Sequence, residues 1–283
     1  MNAILRPQAY APYGGLFPRS HAAAPNDAVV PAGLVGWWTM DVEDVNFAAG
    51  TVVDRSGNGG VGALAGLSAS SAVQGQIGQA LNFNGSTSDI DIPSSAALSP
   101  ANGLAVSAWV KFSSAGTAFV VCKDNGTLRS FCLYVTSGTV NLQIFGGGSN
   151  STVSSVPTYN DSKWHHVLAT YLFVTNGTSV AKLYVDGAQI NSAANFFGPM
   201  NVTAQDVFIG NRPVFTGFFA GYIDDARIYN RALDQGEVLQ LYSAGLRGQA
   251  YWPSIGMPLM ALKPGFNPGW TIGRNTVVEG VAS

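Results

Sequence analysis

Three carboxylates, Asp41, Glu43 and Asp44, stand close together near the start of the sequence. Glycan hydrolysis needs two carboxylates that face one cleft, and alternate residues of a single strand place them so. These three residues instead precede the segment VNFAAGT (45–51), which has the composition of a loop. The pattern therefore argues against a glycosidase active site.

Two adjacent histidines, His165 and His166, follow Trp164 in a segment rich in β-branched and aromatic residues. Neighbouring side chains of a strand point to opposite faces, so the two imidazoles are poorly placed to share one metal ion. We expect an inner histidine that is satisfied by the fold and an outer one that is solvated. No G-x-S-x-G turn accompanies the serines. The sequence predicts a protein that is not an enzyme.

The charge of the chain is low and evenly balanced, with 14 basic and 16 acidic residues among 283. Because Lys and Arg form no run, the chain lacks a surface that could neutralise a row of phosphates. Apolar stretches are interrupted by Gly, Pro or polar residues before they reach the ~18 residues needed to span a bilayer. The first residues, MNAILRPQAYAPYGG, lack the apolar core of a secretion signal. We expect no nucleic-acid partner, no membrane insertion and no signal peptide.

Three regions of the sequence differ in composition and in the periodicity of their apolar residues. Residues 1–32 are rich in Pro and Ala and read as an extended N-terminal arm, and residues 246–283 form an apolar C-terminal tail broken by Pro and Gly. Between them, residues 33–245 alternate short apolar segments with turn dipeptides such as Asn84-Gly85 and Asp186-Gly187. That rhythm predicts antiparallel sheets, with one short helix over 234–244 that Gly245 ends.

The two cysteines, Cys122 and Cys132, flank a turn and fall on one face of the predicted hairpin. A disulfide is geometrically feasible. In the absence of a recognisable export signal, we favour two packed thiols.

Several blocks of residues 33–245, in a fixed order, resemble bacterial laminin G-like, concanavalin A-like jelly-roll domains. They include GLVGWWTMD (33–41), GQIGQALNFNGSTSDIDIP (75–93), KLYVDGAQI (182–190) and FAGYIDDARIYNRALDQGEVLQLY (219–242). The resemblance implies an all-β fold, a two-sheet antiparallel jelly-roll β-sandwich whose first and last strands pair, here with extended N- and C-terminal arms. The acidic residues at 41–44 lack the Glu-x-Asp-x-x-Glu arrangement of the glucanase relatives.

Because many laminin G-like domains bind calcium through Asp side chains and carbonyls, the resemblance also implies a structural calcium site. Asp41 and Asp224 are the principal candidates, with Asp54, Asp225 and the carbonyls of 56–58 as further ligands. The alternative is that these side chains cap turns or form an ion pair with Arg227 or Arg231. No other cofactor is implied.

Two functions remain open. The first is a structural protein of a virus particle, such as a phage capsid decoration or other head or tail protein, oligomeric in its assembly. Its arms would dock on other subunits through their aromatic residues, namely Tyr10, Tyr13, Phe17, Trp252, Phe266 and Trp270.

The alternative is a glycan-binding adhesion module at a bacterial cell surface or outside the cell. Aromatic side chains that could form a sugar-stacking platform, most of them expected in the core, are Tyr159, Phe196, Phe197, Phe215, Phe218 and Phe219.

Overall fold

The computed structural model describes residues 30–58, 60–175, 178–196, 198–213 and 217–250. It contains, in chain order, β1 (Leu34–Trp38), β2 (Val45–Asn46), β3 (Thr51–Val52), β4 (Gly62–Ala65), a 3-10 turn (Ala69–Ser71), β5 (Ala72–Gln74), β6 (Gln79–Asn84), β7 (Asp89–Ile92), β8 (Gly103–Phe112), β9 (Ala118–Asp124), β10 (Arg129–Thr136), β11 (Thr139–Gly146), β12 (Ser149–Ser154), β13 (His165–Leu172), β14 (Ser179–Val185), β15 (Ala188–Phe196), β16 (Val207–Ile209), β17 (Ala220–Tyr229) and the helix α1 (Gln235–Ala250).

The strands form two antiparallel sheets. The first, called the helix-side sheet, has the order β15-β14-β13-β8-β17-β6-β5, and β1 pairs with β17. The second, called the disulfide-side sheet, has the order β12-β11-β10-β9-β16-β7-β4-β3-β2. This is the predicted all-β sandwich, and the predicted pairing of the first and last strands is confirmed.

The core between the sheets is built by alternate residues of each strand. In β8, Val106 and Val110 point into it, and Leu133 of β10 and Leu142 of β11 meet them from the other sheet. Trp38 of β1 is fully buried in the same cluster. The residues between these inward positions point outward. The same strands therefore also determine which side chains lie on the outer face of the helix-side sheet.

Strand β17 contains a bulge that shifts this alternation. Its register with β8 slips between Asp224 and Arg227, and Asp225 has a left-handed φ of 51°. Beyond the bulge, Ile228 points into the core and Arg227 to the opposite face.

Helix α1 covers part of the outer face of the helix-side sheet. Its start is a capping box: the Glu237 amide donates to Asp234 Oδ1 at 2.9 Å, and the Asp234 amide donates to Glu237 Oε2 at 3.0 Å. The predicted end at Gly245 is wrong, because α1 continues to Ala250. A Cβ atom at position 245 would lie 2.3 Å from Cζ2 of Trp109, so this glycine permits close packing of the helix on the sheet.

Cys122 and Cys132 are directly opposite each other in β9 and β10 and form a disulfide, with a Cα–Cα distance of 4.1 Å. The preference for two free thiols was therefore wrong. Both residues are buried and pack with Phe119 on the outer face of the disulfide-side sheet. The pairing of β9 with β10 brings the two side chains together on one face of the sheet, where they bond.

The predicted N-terminal arm (1–32) and C-terminal tail (246–283) lie mostly outside the described residues. At the inner boundaries, Val30 is buried against the sheet, and α1 extends past the predicted boundary at Gly245. The described part of the chain has no helix that is long and apolar enough to cross a membrane.

Candidate functional site

The outer face of the helix-side sheet divides into a covered and an uncovered part. Under α1, an apolar cluster joins Leu168 and Tyr184 of the sheet to Val238 and Leu241 of the helix. The cluster places the helix over one end of β8, β13 and β14. The other end, where β17 starts and β8 finishes, is left open.

At the edge of the covered part, three aromatic rings pack against one another. The Trp109 ring lies 5.1 Å from that of His166 and 5.7 Å from that of Tyr242 in α1. His166 is buried, and this burial lowers its pKa to about 4, so it stays neutral near pH 7. The prediction of a solvated outer histidine is wrong, because α1 covers it.

The covered part also contains an ion pair. Arg227 binds Asp225 at 3.0 Å, and both side chains are almost fully buried. Asp225 also accepts a 2.6 Å hydrogen bond from Trp37 Nε1, and the Arg227 guanidinium lies 4.4 Å from the centre of the Trp37 ring. The predicted ion pair of Asp225 with Arg227 is thus confirmed.

The uncovered part carries a row of side chains that crosses adjacent strands. Tyr222 of β17 is paired with Lys111 of β8, and Trp164, which immediately precedes β13, extends the row. The Trp164 and Tyr222 rings are 6.2 Å apart and inclined by 53°. Lys111 Nζ lies 5.5 Å from the centre of the Tyr222 ring. Two partly exposed aromatic rings therefore lie beside one ammonium group.

This row lines an open pocket of about 380 Å³, here called the aromatic groove. That volume is at the small end of ligand sites, which span roughly 300–1,000 Å³. The groove combines aromatic faces with an ammonium and a side-chain amide, and no carboxylate lines it. Its residues are Val73, Gln74, Gly75, Lys111, Trp164 and Tyr222.

A smaller pocket of about 230 Å³ adjoins the aromatic groove on the other side of Trp164. Asp186 contributes a carboxylate there, and Tyr242 and Leu246 of α1 form its helix wall. Because both pockets share Trp164, this indole separates two neighbouring spaces along one surface.

His165 anchors the backbone next to Trp164. Its Nδ1 is 2.8 Å from Asp186 Oδ2, and its Nε2 is 3.1 Å from Asp161 Oδ1. The hydrogen bond with Asp186, helped by Asp161, raises the pKa of His165, although partial burial opposes the shift. The predicted satisfied histidine is confirmed at His165.

The calcium candidates have other partners. Asp41 Oδ1 accepts the Gln79 amide at 2.8 Å, and Asp224 Oδ2 accepts the Ile77 amide at 2.8 Å. Both carboxylates therefore hold the turn between β5 and β6. Asp54 accepts the amides of Trp37 and Ser56, as a turn cap does.

Within the described ranges, no three Asp, Glu, His or Cys side chains come together in a group that could hold a metal. The carboxylates of Asp41 and Asp224 are engaged by backbone amides, and the calcium site stays a prediction.

The acidic residues at 41–44 lie in the turn between β1 and β2. Asp44 accepts hydrogen bonds from Thr39 Oγ1 at 2.5 Å and Arg55 Nε at 2.6 Å, and Glu43 lies 3.8 Å from Arg55. These carboxylates hold the turn together.

None of the predicted sugar-stacking aromatics whose side chains the structure describes lines the groove. Phe219 is fully buried in the core, and the Tyr159 ring packs edge-on against His165. Phe197 and Phe215 lie outside the described residues, as do all six predicted arm contacts, Tyr10, Tyr13, Phe17, Trp252, Phe266 and Trp270.

Sequence reasoning missed Lys111, Trp164 and Tyr222 as a group. The available signal was alternation: Lys111 stands between the inward residues Val110 and Phe112, and Tyr222 precedes the inward Ile223. Their meeting across three strands depends on a register that no local pattern reveals.

A family model described as the concanavalin A-like lectin/glucanases superfamily matches residues 84–239. That span includes β8, β13 and β17, the strands that carry the row, and the first five residues of α1. No curated protein matches the sequence.

Solved structures include similar folds. The binding domain of Paraclostridial mosquitocidal protein 1 superposes with a TM-score of 0.59 at 16% identity, covering 74% of this chain and 52% of that one. The botulinum neurotoxin serotype D binding domain gives a TM-score of 0.58 at 13% identity, covering 76% and 53%. The chain thus spans about half the length of these toxin domains.

Domain 4 of AbnA, a GH43 extracellular arabinanase from Geobacillus stearothermophilus, was solved in complex with arabinotriose. It has a TM-score of 0.55 at 24% identity, covering 75% of this chain and 98% of that one. At these identities the likenesses show the fold alone.

Proposed function

The chain belongs to the concanavalin A-like lectin/glucanase superfamily, and on that basis we propose that it is a non-catalytic protein that binds carbohydrate in the aromatic groove. The observation that carries the proposal is the cross-strand row of Tyr222, Lys111 and Trp164. The proposal develops the hypothesis, made from the sequence, that the chain adheres to cell-surface carbohydrate.

The chemistry of a sugar ring fits this row. A pyranose or furanose ring has C–H bonds that pack on an aromatic face and hydroxyl groups that need hydrogen-bond partners. Trp164 and Tyr222 offer partly exposed faces, and Lys111 and Gln74 offer polar groups at the same groove. Since the strands hold the rings in place, binding costs little ordering of the protein.

The absence of a carboxylate from the groove lining supports binding without hydrolysis. Glycosidases place two acids about 5–9.5 Å apart around the scissile bond. The similar solved structures point the same way, because two are binding domains of toxins and one is an arabinanase domain solved in complex with arabinotriose.

The disulfide supports a location outside the cell, since such bonds persist in oxidising compartments. The virion role stays a prediction, because it depends on arm residues outside the described part of the chain.

A glycan array with the full chain tests the proposal, followed by calorimetric titration of the best ligand against Trp164→Ala. We expect selective binding to at least one glycan and a loss of about tenfold or more in affinity, as for truncation of a central aromatic contact. Leu172→Ala is the matched control, because Leu172 is 48% exposed at the far end of the same strand.

Trp164→Phe should recover part of the affinity, which separates a lost ring from a lost fold. Thermal unfolding of each variant checks folding. The proposal is wrong if the array shows no binding, or if folded Trp164→Ala binds as well as the unmodified chain.

A further inference from the structure

Building on the proposed function, we infer that the saccharide in the aromatic groove carries an anionic substituent, a carboxylate or a sulfate, that binds at Lys111. Lys111 is partly buried in the middle of the row, between the strands that contribute Tyr222 and Trp164. Its ammonium therefore lies beside a ligand that stacks on either ring.

The described residues offer Lys111 no carboxylate partner. None of the residues that line the aromatic groove is acidic, and Lys111 forms no ion pair with any residue that the structure describes. Its ammonium instead lies over the Tyr222 ring, 5.5 Å from the ring centre. A bound anion would supply the missing partner.

Acidic residues in the surroundings already have partners. Asp161 binds Lys163 at 2.8 Å and His165 at 3.1 Å, and Asp186 binds His165 at 2.8 Å. Asp224 accepts the Ile77 amide. These carboxylates are therefore engaged by partners other than Lys111.

Partly buried cations elsewhere in the described chain are treated differently. Arginines with low exposure each contact a carboxylate: Arg55 with Asp44, Arg212 with Asp124, Arg227 with Asp225 and Arg231 with Glu237. Lys123 is fully buried and has no carboxylate contact, but its ammonium donates to Ser94 Oγ at 2.9 Å and to the Gln205 carbonyl. Among the described residues the Lys111 ammonium has neither kind of partner, which leaves it for a ligand.

The geometry also gives the ligand a direction. The smaller pocket beyond Trp164 has the Asp186 carboxylate in its wall, which repels an anion. The anionic substituent therefore belongs on the Lys111 side of Trp164. Because an ammonium is a compact point charge with freely rotating N–H donors, it can bind either a carboxylate or a sulfate.

The test is calorimetric titration of the full chain with two probe sets: uronic-acid oligosaccharides beside their carboxyl-reduced counterparts, and sulfated oligosaccharides beside their desulfated counterparts. We expect one anionic member to bind about tenfold or more tighter than its neutral counterpart. Lys111→Met keeps the aliphatic stem against Tyr222 and removes the charge. It should abolish this preference, so that the anionic and neutral members of each pair bind the variant with affinities within about twofold of each other.

Salt provides a second readout that a purely structural role would not change. Raising ionic strength should weaken binding of the anionic probe to the unmodified chain and should not weaken its binding to Lys111→Met. Lys111→Arg, which keeps the charge, should retain the preference.

The outcomes separate this inference from the proposed function. If neutral and anionic probes bind equally and Lys111→Met changes neither, while Trp164→Ala weakens both, the inference is wrong and the carbohydrate site stands. If no probe of either set or glycan of the array binds, both fail.

Discussion

His165 and His166 are neighbours in one strand and point to opposite faces of the sheet, where their surroundings act on them in opposite ways. His166 lies under α1 against Trp109, and burial lowers its pKa to about 4. His165 points to the other face, where hydrogen bonds with Asp186 and Asp161 raise its pKa. Covering by the helix favours a neutral imidazole, and the two carboxylates favour a charged one.

The outer face of the helix-side sheet shows a second contrast, between the part under α1 and the uncovered part. Under α1 the charges are paired internally, as in Arg227 with Asp225, and the aromatic rings pack on one another. In the aromatic groove, Lys111 and the faces of Trp164 and Tyr222 are left for a partner. The comparison indicates that the helix completes the fold and that the uncovered row is available for binding.

Breaking the ion pair of the covered part should have the largest effect on stability. Arg227→Met leaves the Asp225 carboxylate buried without its cation, so we expect the free energy of unfolding to fall by about 3–5 kcal/mol. Chemical denaturation measures the change. The control Lys163→Met removes an exposed ion pair with Asp161 and should change stability little. Equal stability of the two variants would mean that the covered pair is not needed by the fold.

The next largest effect should come from the helix contact. Gly245→Ala forces a Cβ into the buried Trp109 ring, 2.3 Å from its Cζ2, and should destabilise the chain by about 1–3 kcal/mol despite the better helix propensity of alanine. Gly236→Ala, in the first turn of the same helix, meets only the Asp234 carboxylate at 3.2 Å and should leave the melting temperature unchanged or slightly higher. A harmless Gly245→Ala would show that α1 does not press on Trp109.

The smallest effect should be the pH dependence of stability that comes from His165 and His166. The folded-state pKa of His165 is raised above its unfolded value of 6.5, so its stabilising contribution is complete below pH 6.5 and is lost as the pH rises through the folded-state pKa. His166 acts in the other direction, because its folded-state pKa is depressed: stability falls as the pH drops from 6.5 to about 4.

An NMR titration of both imidazoles measures these values, with His165→Asn and His166→Asn to assign the signals. We expect His165 to titrate above pH 6.5 and His166 near pH 4. The reverse order, or two ordinary values, would remove the contrast between the surroundings of the two histidines.

Much of the fold was accessible from sequence because its signals are local. Alternation in β8 marks Val110 as inward, and the Asp234 and Glu237 spacing predicts the helix start that the structure has. The helix end was mispredicted because Gly245 has the local signature of a stop, whereas its role is a contact with Trp109, far away in the chain.

The candidate site was less accessible for the same reason. Lys111, Trp164 and Tyr222 belong to three distant segments, and only the register of β8, β13 and β17 brings them together. Which end of the sheet α1 covers also depends on long-range packing. The bulge at Asp225, which decides the direction in which Arg227 points, has no turn dipeptide to announce it.

The most direct test of the account follows the indole N–H signals of the chain by NMR while the best array glycan is added. Each tryptophan gives one such signal, and single Trp→Phe variants assign them. The account predicts that the Trp164 signal shifts with the ligand and saturates, while those of Trp37, Trp38 and Trp109, buried under the helix or in the core, stay in place. A glycan that binds without moving the Trp164 signal would contradict it.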